Sequence, residues 1–176
     1  MSEVMITKNL IPRLVLILMS VVVYETTYAQ DNLTIYLFRH AEKTSDGRDP
    51  GLNEEGKQRA QTLFQMITEK EITGLYSTPF KRTQQTIAPF SSAHGLEVQE
   101  YDYRDLQGFA DTLKTLTGVY LISGHSNTTP ALTGFLTGME ISPINEDEYD
   151  NLFIVQFVDG KALLTILNYP PFYEGQ

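Results

Sequence analysis

The chain has 176 residues, 41% of them hydrophobic and 20% charged, with a formal net charge of −9 and no cysteine. That length and mixture build one compact domain with an ordinary core, not a disordered or fibrous chain. The negative charge repels nucleic acid at long range, and the lack of cysteine excludes disulfides, thiolate metal sites and a cysteine nucleophile.

Along the chain, Lys8 and Arg13 come first and lead into the apolar run Leu14–Val23. That run is well short of the roughly 20 residues a helix needs to cross a bilayer. Small residues follow, and Thr27-Tyr28-Ala29 offers a cleavage site before Gln30. Basic, apolar and cleavable in that order is the pattern of a secretory signal peptide. Residues 1–29 are therefore expected to be removed, leaving 30–176 as the working domain, periplasmic or secreted and not inserted in a membrane. A buried first helix is the alternative, but Leu14–Val23 has no polar face. A retained anchor is the third option.

Leu33–Phe38 is a β-rich run and reads as the first strand, with Arg39 and His40 at its end. The stretch from Thr44 to Gly51 is rich in Ser, Asp, Gly and Pro and reads as a loop. Asn53 has the position of an N-cap, Glu54 and Glu55 suit the first turn, and Ala60, Leu63, Phe64 and Ile67 share one helical face. Gly56 inside that helix costs roughly 1 kcal/mol against alanine, which points to close packing there. Ile72–Ser77 is a second strand, closed by Thr78-Pro79. A helix follows through Arg82, Thr86 and Ile87 to His94-Gly95, where Gly95 suits a left-handed C-terminal position. Leu96–Tyr101 is a third candidate strand, and Leu106, Phe109, Ala110, Leu113 and Leu116 mark an amphipathic helix. Val119–Ser123 has the nearly continuous apolar run of a strand buried on both faces, with Gly124-His125 at its end. A helix from about Ser126 to Gly138 comes next. Phe153–Phe157 and Ala162–Leu167 then flank Asp159-Gly160, a hairpin signature.

Strands alternating with helices, then a hairpin, predict an α/β three-layer sandwich whose sheet is mostly parallel, with an antiparallel edge from the C-terminal hairpin. Such sheets bind ligands beyond the carboxyl ends of their strands. Arg39-His40 and Gly124-His125 both stand at such ends.

Cleaving a phosphomonoester needs a nucleophile in line with the leaving oxygen, cations on the equatorial oxygens and an acid for the leaving group. Arginine suits the second task because its planar fork grips phosphate in two places and stays charged. Four segments meet those needs: Phe38-Arg39-His40-Ala41-Glu42, Ser77-Thr78-Pro79 leading to Lys81-Arg82-Thr83, Gly124-His125-Ser126-Asn127, and Leu52-Asn53-Glu54-Glu55-Gly56. In this order they resemble the histidine-phosphatase superfamily, which includes the phosphoglycerate mutases, and its short phosphohistidine-phosphatase-like branch.

The resemblance implies that His40 is the nucleophile that becomes phosphohistidine, that Arg39 and Arg82 grip the phosphate, and that His125 contacts the same phosphate. It also implies that the Asn53 segment supports the site from behind. Two departures stand out. Ala41 occupies a position that is usually glycine in the family, and the proton donor has no firm match. Asp105, in the stretch Tyr101–Leu106, is the first choice for that acid and Asp102 the second. Glu42, Lys43 and Arg48 read as loop charges, His94 as a surface residue, and Glu146, Asp147, Glu148 and Asp150 as a solvated acidic loop.

The expected activity is metal-independent hydrolysis of phosphomonoesters through phosphohistidine, with no cofactor. The short chain favours hydrolysis over transfer, because a mutase must exclude water to return phosphate to its product. Export points to a small phosphorylated substrate or an envelope phosphate ester, in place of phosphohistidine on cytoplasmic proteins. A non-catalytic phosphate-binding module and a phosphomutase are the alternatives. A metallohydrolase using His40, Glu42 and His125 lacks a third histidine at useful spacing and an aspartate cluster.

Overall fold

The strand that carries the Arg39-His40 pair lies inside the sheet, with neighbours that come late in the chain. A computed structural model describes residues 32–69 and 71–170, so the expected leader, residues 1–29, lies outside the described residues. Among the described residues the strands are β1 (Leu33–Arg39), β2 (Gly74–Ser77), β3 (Val98–Glu100), β4 (Gly118–Gly124), β5 (Asn151–Val158) and β6 (Lys161–Asn168). The helices are α1 (Glu54–Met66), α2 (Lys81–His94), α3 (Leu106–Leu113) and α4 (Thr128–Thr137). The sheet order is β3-β2-β4-β1-β5-β6. Strand β1 runs parallel to β4, from Leu33 opposite Gly118 to Arg39 opposite Gly124, and antiparallel to β5. Strands β5 and β6 form the antiparallel edge, so the expected three-layer α/β fold with a mostly parallel sheet is the observed one.

The two faces of the sheet follow the period-2 alternation of strand side chains. On one face Phe38, Leu75 and Leu121 pack with Leu63 and Ile67 of the α1 region and with Ile87 and Phe90 of α2. On the other, Ile35, Leu37, Ile122 and Val155 pack with Ala110 and Leu113 of α3 and Leu132 and Leu136 of α4. Each fully buried Leu, Ile or Phe of this kind contributes about 1.5–3 kcal/mol relative to exposure. The two clusters together seat β1 firmly between its layers.

Local sequence accounts for the element ends. The Asn53 side chain accepts from the Gly56 N–H at 2.8 Å and caps α1. A Cβ at Gly56 would sit 2.1 Å from the Glu42 carbonyl oxygen, so the glycine lets α1 pack directly on the segment after His40. Gly95 adopts φ +66 at the end of α2. Asp159 (φ 52) and Gly160 (φ 72) both take positive φ, the two-residue hairpin turn that the pair predicts.

Four elements are shorter than the sequence predicts, one of them α3, which stops at Leu113 and leaves Leu116 outside it. Strand β2 begins at Gly74 instead of Ile72, although Ile72 is still buried. Strand β3 is only Val98–Glu100, an edge strand with one neighbour. Helix α4 starts at Thr128 instead of Ser126, because residues 126–127 form a turn that leaves His125 between strand and helix. The opposite edge of the sheet, β6, exposes Leu163, Ile166 and Leu167.

Candidate active site

His40 directly follows β1, and its N–H donates to the Gly124 carbonyl at 2.9 Å, which ties the ends of β1 and β4 together. Its ring Nδ1 lies 2.8 Å from the Ala41 carbonyl oxygen. A carbonyl can only accept, so Nδ1 carries the proton and Nε2 keeps a free lone pair. Ala41 is held in turn: its N–H donates to Thr86 Oγ1 at 3.0 Å, and the Thr86 hydroxyl donates to the Arg82 carbonyl at 2.7 Å. His40 is only 3% exposed. Burial, with Arg39, His125 and Arg82 adding to it, pushes its pKa down to about 3 against the opposing effect of the Ala41 hydrogen bond. The ring is therefore neutral and nucleophilic at ordinary pH.

His125 follows β4, and its N–H donates to Thr128 Oγ1 at 2.9 Å. The His40 and His125 ring centroids are 5.5 Å apart, nearly edge to face. Arg82 Nη2 lies 3.4 Å from His125 Nδ1, and Thr78 Oγ1 lies 3.0 Å from His125 Nε2. Burial, then Arg82 and Arg39, push the His125 pKa down to about 4, while Glu146 opposes them.

The two arginines differ in how they are held. Arg82 reaches Asp49 through Nη1 at 3.7 Å and lies 4.6 Å over the Phe80 ring. Arg39 is 1% exposed, and its Nη1 donates to the carbonyls of Asn145 (2.8 Å) and Glu148 (2.7 Å). Its Nη2 meets Glu146 Oε2 at 3.0 Å, and Tyr149 stacks against the guanidinium at 4.2 Å. The Nε of each arginine is buried without a hydrogen-bond partner among the described residues.

Two charged groups behave differently from their sequence reading. Glu42 is no loop charge: it is buried, and both its oxygens accept from Arg59 Nε, at 2.8 and 2.9 Å. The acidic stretch after Ile144 is not only a solvated loop, since Glu146 accepts from Ser126 Oγ at 2.6 Å and pairs with Arg39. The Ser126 hydrogen bond, then Arg39 and Lys43, hold the Glu146 carboxyl below its usual range.

Arg39, His40, Arg82 and His125 thus lie together where β1 and β4 end and α2 begins. Asp105 is the exposed N-cap of α3, accepting from the Gly108 N–H at 2.9 Å. Asp102, also exposed, accepts from the Arg104 N–H at 2.9 Å. Among the described residues neither acid makes a hydrogen bond or ion pair with the four pocket side chains. The sequence reading passed over Thr78, Thr86, Glu146 and Tyr149 as parts of the site. Thr86 had a signal, since it lies one helical turn beyond Arg82. Glu146 and Tyr149 had none, because only the return of β5 beside β1 brings their loop to Arg39. Among the described residues no group of three or more His, Cys, Asp or Glu is placed to hold a metal ion, and no helix is long and apolar enough to cross a membrane.

Residues 35–108 match the family model of the histidine phosphatase superfamily (branch 1). Phosphoserine phosphatase 1 of Hydrogenobacter thermophilus is 37% identical over 75 residues, which span 39% of this chain and 36% of that protein. In three dimensions the chain resembles the protein histidine phosphatase SixA complexed with tungstate, with a TM-score of 0.62 and 15% identity over 77% of this chain and 96% of that one. It is also similar to a putative alpha-ribazole-5'-P phosphatase from Escherichia coli, with a TM-score of 0.61 and 16% identity over 78% of this chain and 96% of that one.

Proposed function

We propose that this chain, a phosphatase of the histidine phosphatase superfamily, hydrolyses phosphomonoesters through a phosphohistidine on His40 and without a metal ion. The observation that carries the reading is the buried His40 ring, set with its Nδ1 against the Ala41 carbonyl. Its proton is fixed on Nδ1 by Ala41, and its free Nε2 shares a pocket with two arginines whose buried Nε groups lack partners. A covalent route splits one hard displacement into two easier ones. In the first, Nε2 forms a bond to phosphorus as the ester P–O bond breaks, and the leaving oxygen takes a proton from an acid, for which Asp105 is the candidate. In the second, water attacks phosphorus and gives a proton back to that acid, the N–P bond breaks, and orthophosphate leaves. Arg39, Arg82 and His125 offset the charge on the equatorial oxygens in both steps.

The experiment is hydrolysis of p-nitrophenyl phosphate with and without EDTA, together with an alkaline quench after labelled substrate. The expected result is EDTA-resistant turnover and an acid-labile, base-stable label on His40, with turnover abolished in a folded His40→Ala variant. A fully active His40→Ala variant would falsify the scheme, and label on His125 would reverse the two histidines. Export belongs to the same proposal. The basic-apolar-cleavable order of the first residues supports a periplasmic or secreted enzyme acting on a small phosphorylated substrate or an envelope phosphate ester. N-terminal sequencing of exported protein is expected to begin near Gln30, and a full-length membrane-retained form would contradict it.

A further inference from the structure

The clasp on Arg39 has two parts of different kinds. Nη1 donates to the carbonyls of Asn145 and Glu148, backbone groups that no side-chain rotation moves. Nη2 meets a side chain, the Glu146 carboxylate at 3.0 Å. The Arg39 side chain is 1% exposed, whereas that of Glu146 is 81% exposed. The carboxylate can therefore swing into water without disturbing the core, and the loop backbone still holds Arg39 when it does.

Glu146 is also held by its other oxygen. Ser126 Oγ donates to Oε1 at 2.6 Å, and Ser126 directly follows His125. One carboxylate thus bridges the end of β1, through Arg39, and the end of β4, through the residue after His125. Its negative charge also favours the cationic forms of His125 and Arg82, so it acts on three of the four pocket side chains. An anion that stands on the same cations as a phosphoryl group is a rival of that group. A phosphate dianion on Arg39 would face the Glu146 carboxylate at close range, and like charges a few ångströms apart repel even at the dielectric of water.

We propose that Glu146 is a built-in competitor for phosphate at Arg39: it holds Nη2 between turnovers, gives way to the incoming phosphoryl group and returns as orthophosphate leaves. Asn145 and Glu148 keep Arg39 in place throughout. The assignment of phosphate to Arg39 rests on the phosphatase reading above, but the competition needs no hydrolysis. The opposing role, in which Glu146 orients Arg39 for phosphate, predicts an effect of the opposite sign.

Orthophosphate binding to the full chain, measured by calorimetry, separates the two. Glu146→Gln keeps the shape of the side chain and its capacity to accept hydrogen bonds, and removes its charge. The Kd for orthophosphate is expected to fall about tenfold, the scale of one like-charge contact near a protein surface. Glu146→Ala should lower the Kd as well. Salt at about 1 M, where screening acts within roughly 3 Å, should shrink the gap between wild type and Glu146→Gln. KM for p-nitrophenyl phosphate should fall with the Kd, and orthophosphate should inhibit both variants more strongly than the wild type. An unchanged or higher Kd in either folded variant would overturn the proposal and make Glu146 a support of Arg39. Tighter binding by variants of a protein that hydrolyses nothing would leave the competition standing and remove hydrolysis alone. No orthophosphate binding by wild type or variants would overturn both.

Discussion

Replacing Asp105 with asparagine separates two jobs that one carboxylate can hold. Asparagine is as good an N-cap as aspartate, so the bond to the Gly108 N–H and the start of α3 survive the change. What the change removes is the exchangeable proton. If Asp105 is the acid of the first step, Asp105→Asn slows alkyl phosphates far more than nitrophenyl phosphate, because only poor leaving groups need the proton. Parallel rate losses on the two substrates would leave Asp105 with the cap alone, and the same contrast in Asp102→Asn would move the acid there. Asp105 also shows where residue-level reading stops. The positions of Arg39, His40, Arg82 and His125 were legible because each ends or follows a strand or opens a helix, where local pattern fixes position. An acid that must reach over from a loop has no such anchor.

Among the elements, α1 shows how a helix without a pocket residue supports the site. It leans on the segment after His40 through Gly56, and through Arg59, whose side chain holds the buried Glu42 carboxylate. Gly56→Ala would gain roughly 1 kcal/mol of helix propensity, yet it drives a methyl into the Glu42 carbonyl. Because the obstacle is backbone, the net effect is expected to be destabilising by about 1–3 kcal/mol, read from urea unfolding, with kcat falling as the His40 segment shifts. A neutral or more stable Gly56→Ala would show that α1 can move away freely. The sequence marked this glycine as a close-packing point from its helical position alone. It did not mark Glu42 as buried, because the partner Arg59 lies on another element and nothing local distinguishes a paired carboxylate from a solvated one.

For the whole molecule, the pocket should make stability depend on pH in a specific window. His40 and His125 have folded pKa values of about 3 and about 4, below the ordinary histidine value near 6.5. Between those limits the unfolded chain binds more protons than the folded one, so stability rises with pH. The contribution is complete above about pH 6.5, declines as pH falls through that value, and levels off near pH 3. Urea midpoints measured from pH 7.5 to 4 should fall accordingly, and His125→Asn should flatten the curve above pH 5, where few carboxylates titrate. An identical slope in that variant would mean that His125 is charged in the folded protein. The architecture behind this burial was legible from the alternation of strands and helices and from the Asp159-Gly160 turn. The sheet order was not, since the pairing of β1 with β4 and β5 is set by contacts far apart in sequence.

That pairing has a consequence for how the protein comes into being. His40 is synthesised early, just after β1, but both strands that flank β1 and the loop that clasps Arg39 belong to the last third of the chain. A ribosome-bound chain that stops before residue 145 would already contain all four pocket residues and still have nothing to clasp Arg39. The long-range closures that finish the sheet are also the slow part of folding. A closed site would therefore be the last feature the molecule acquires.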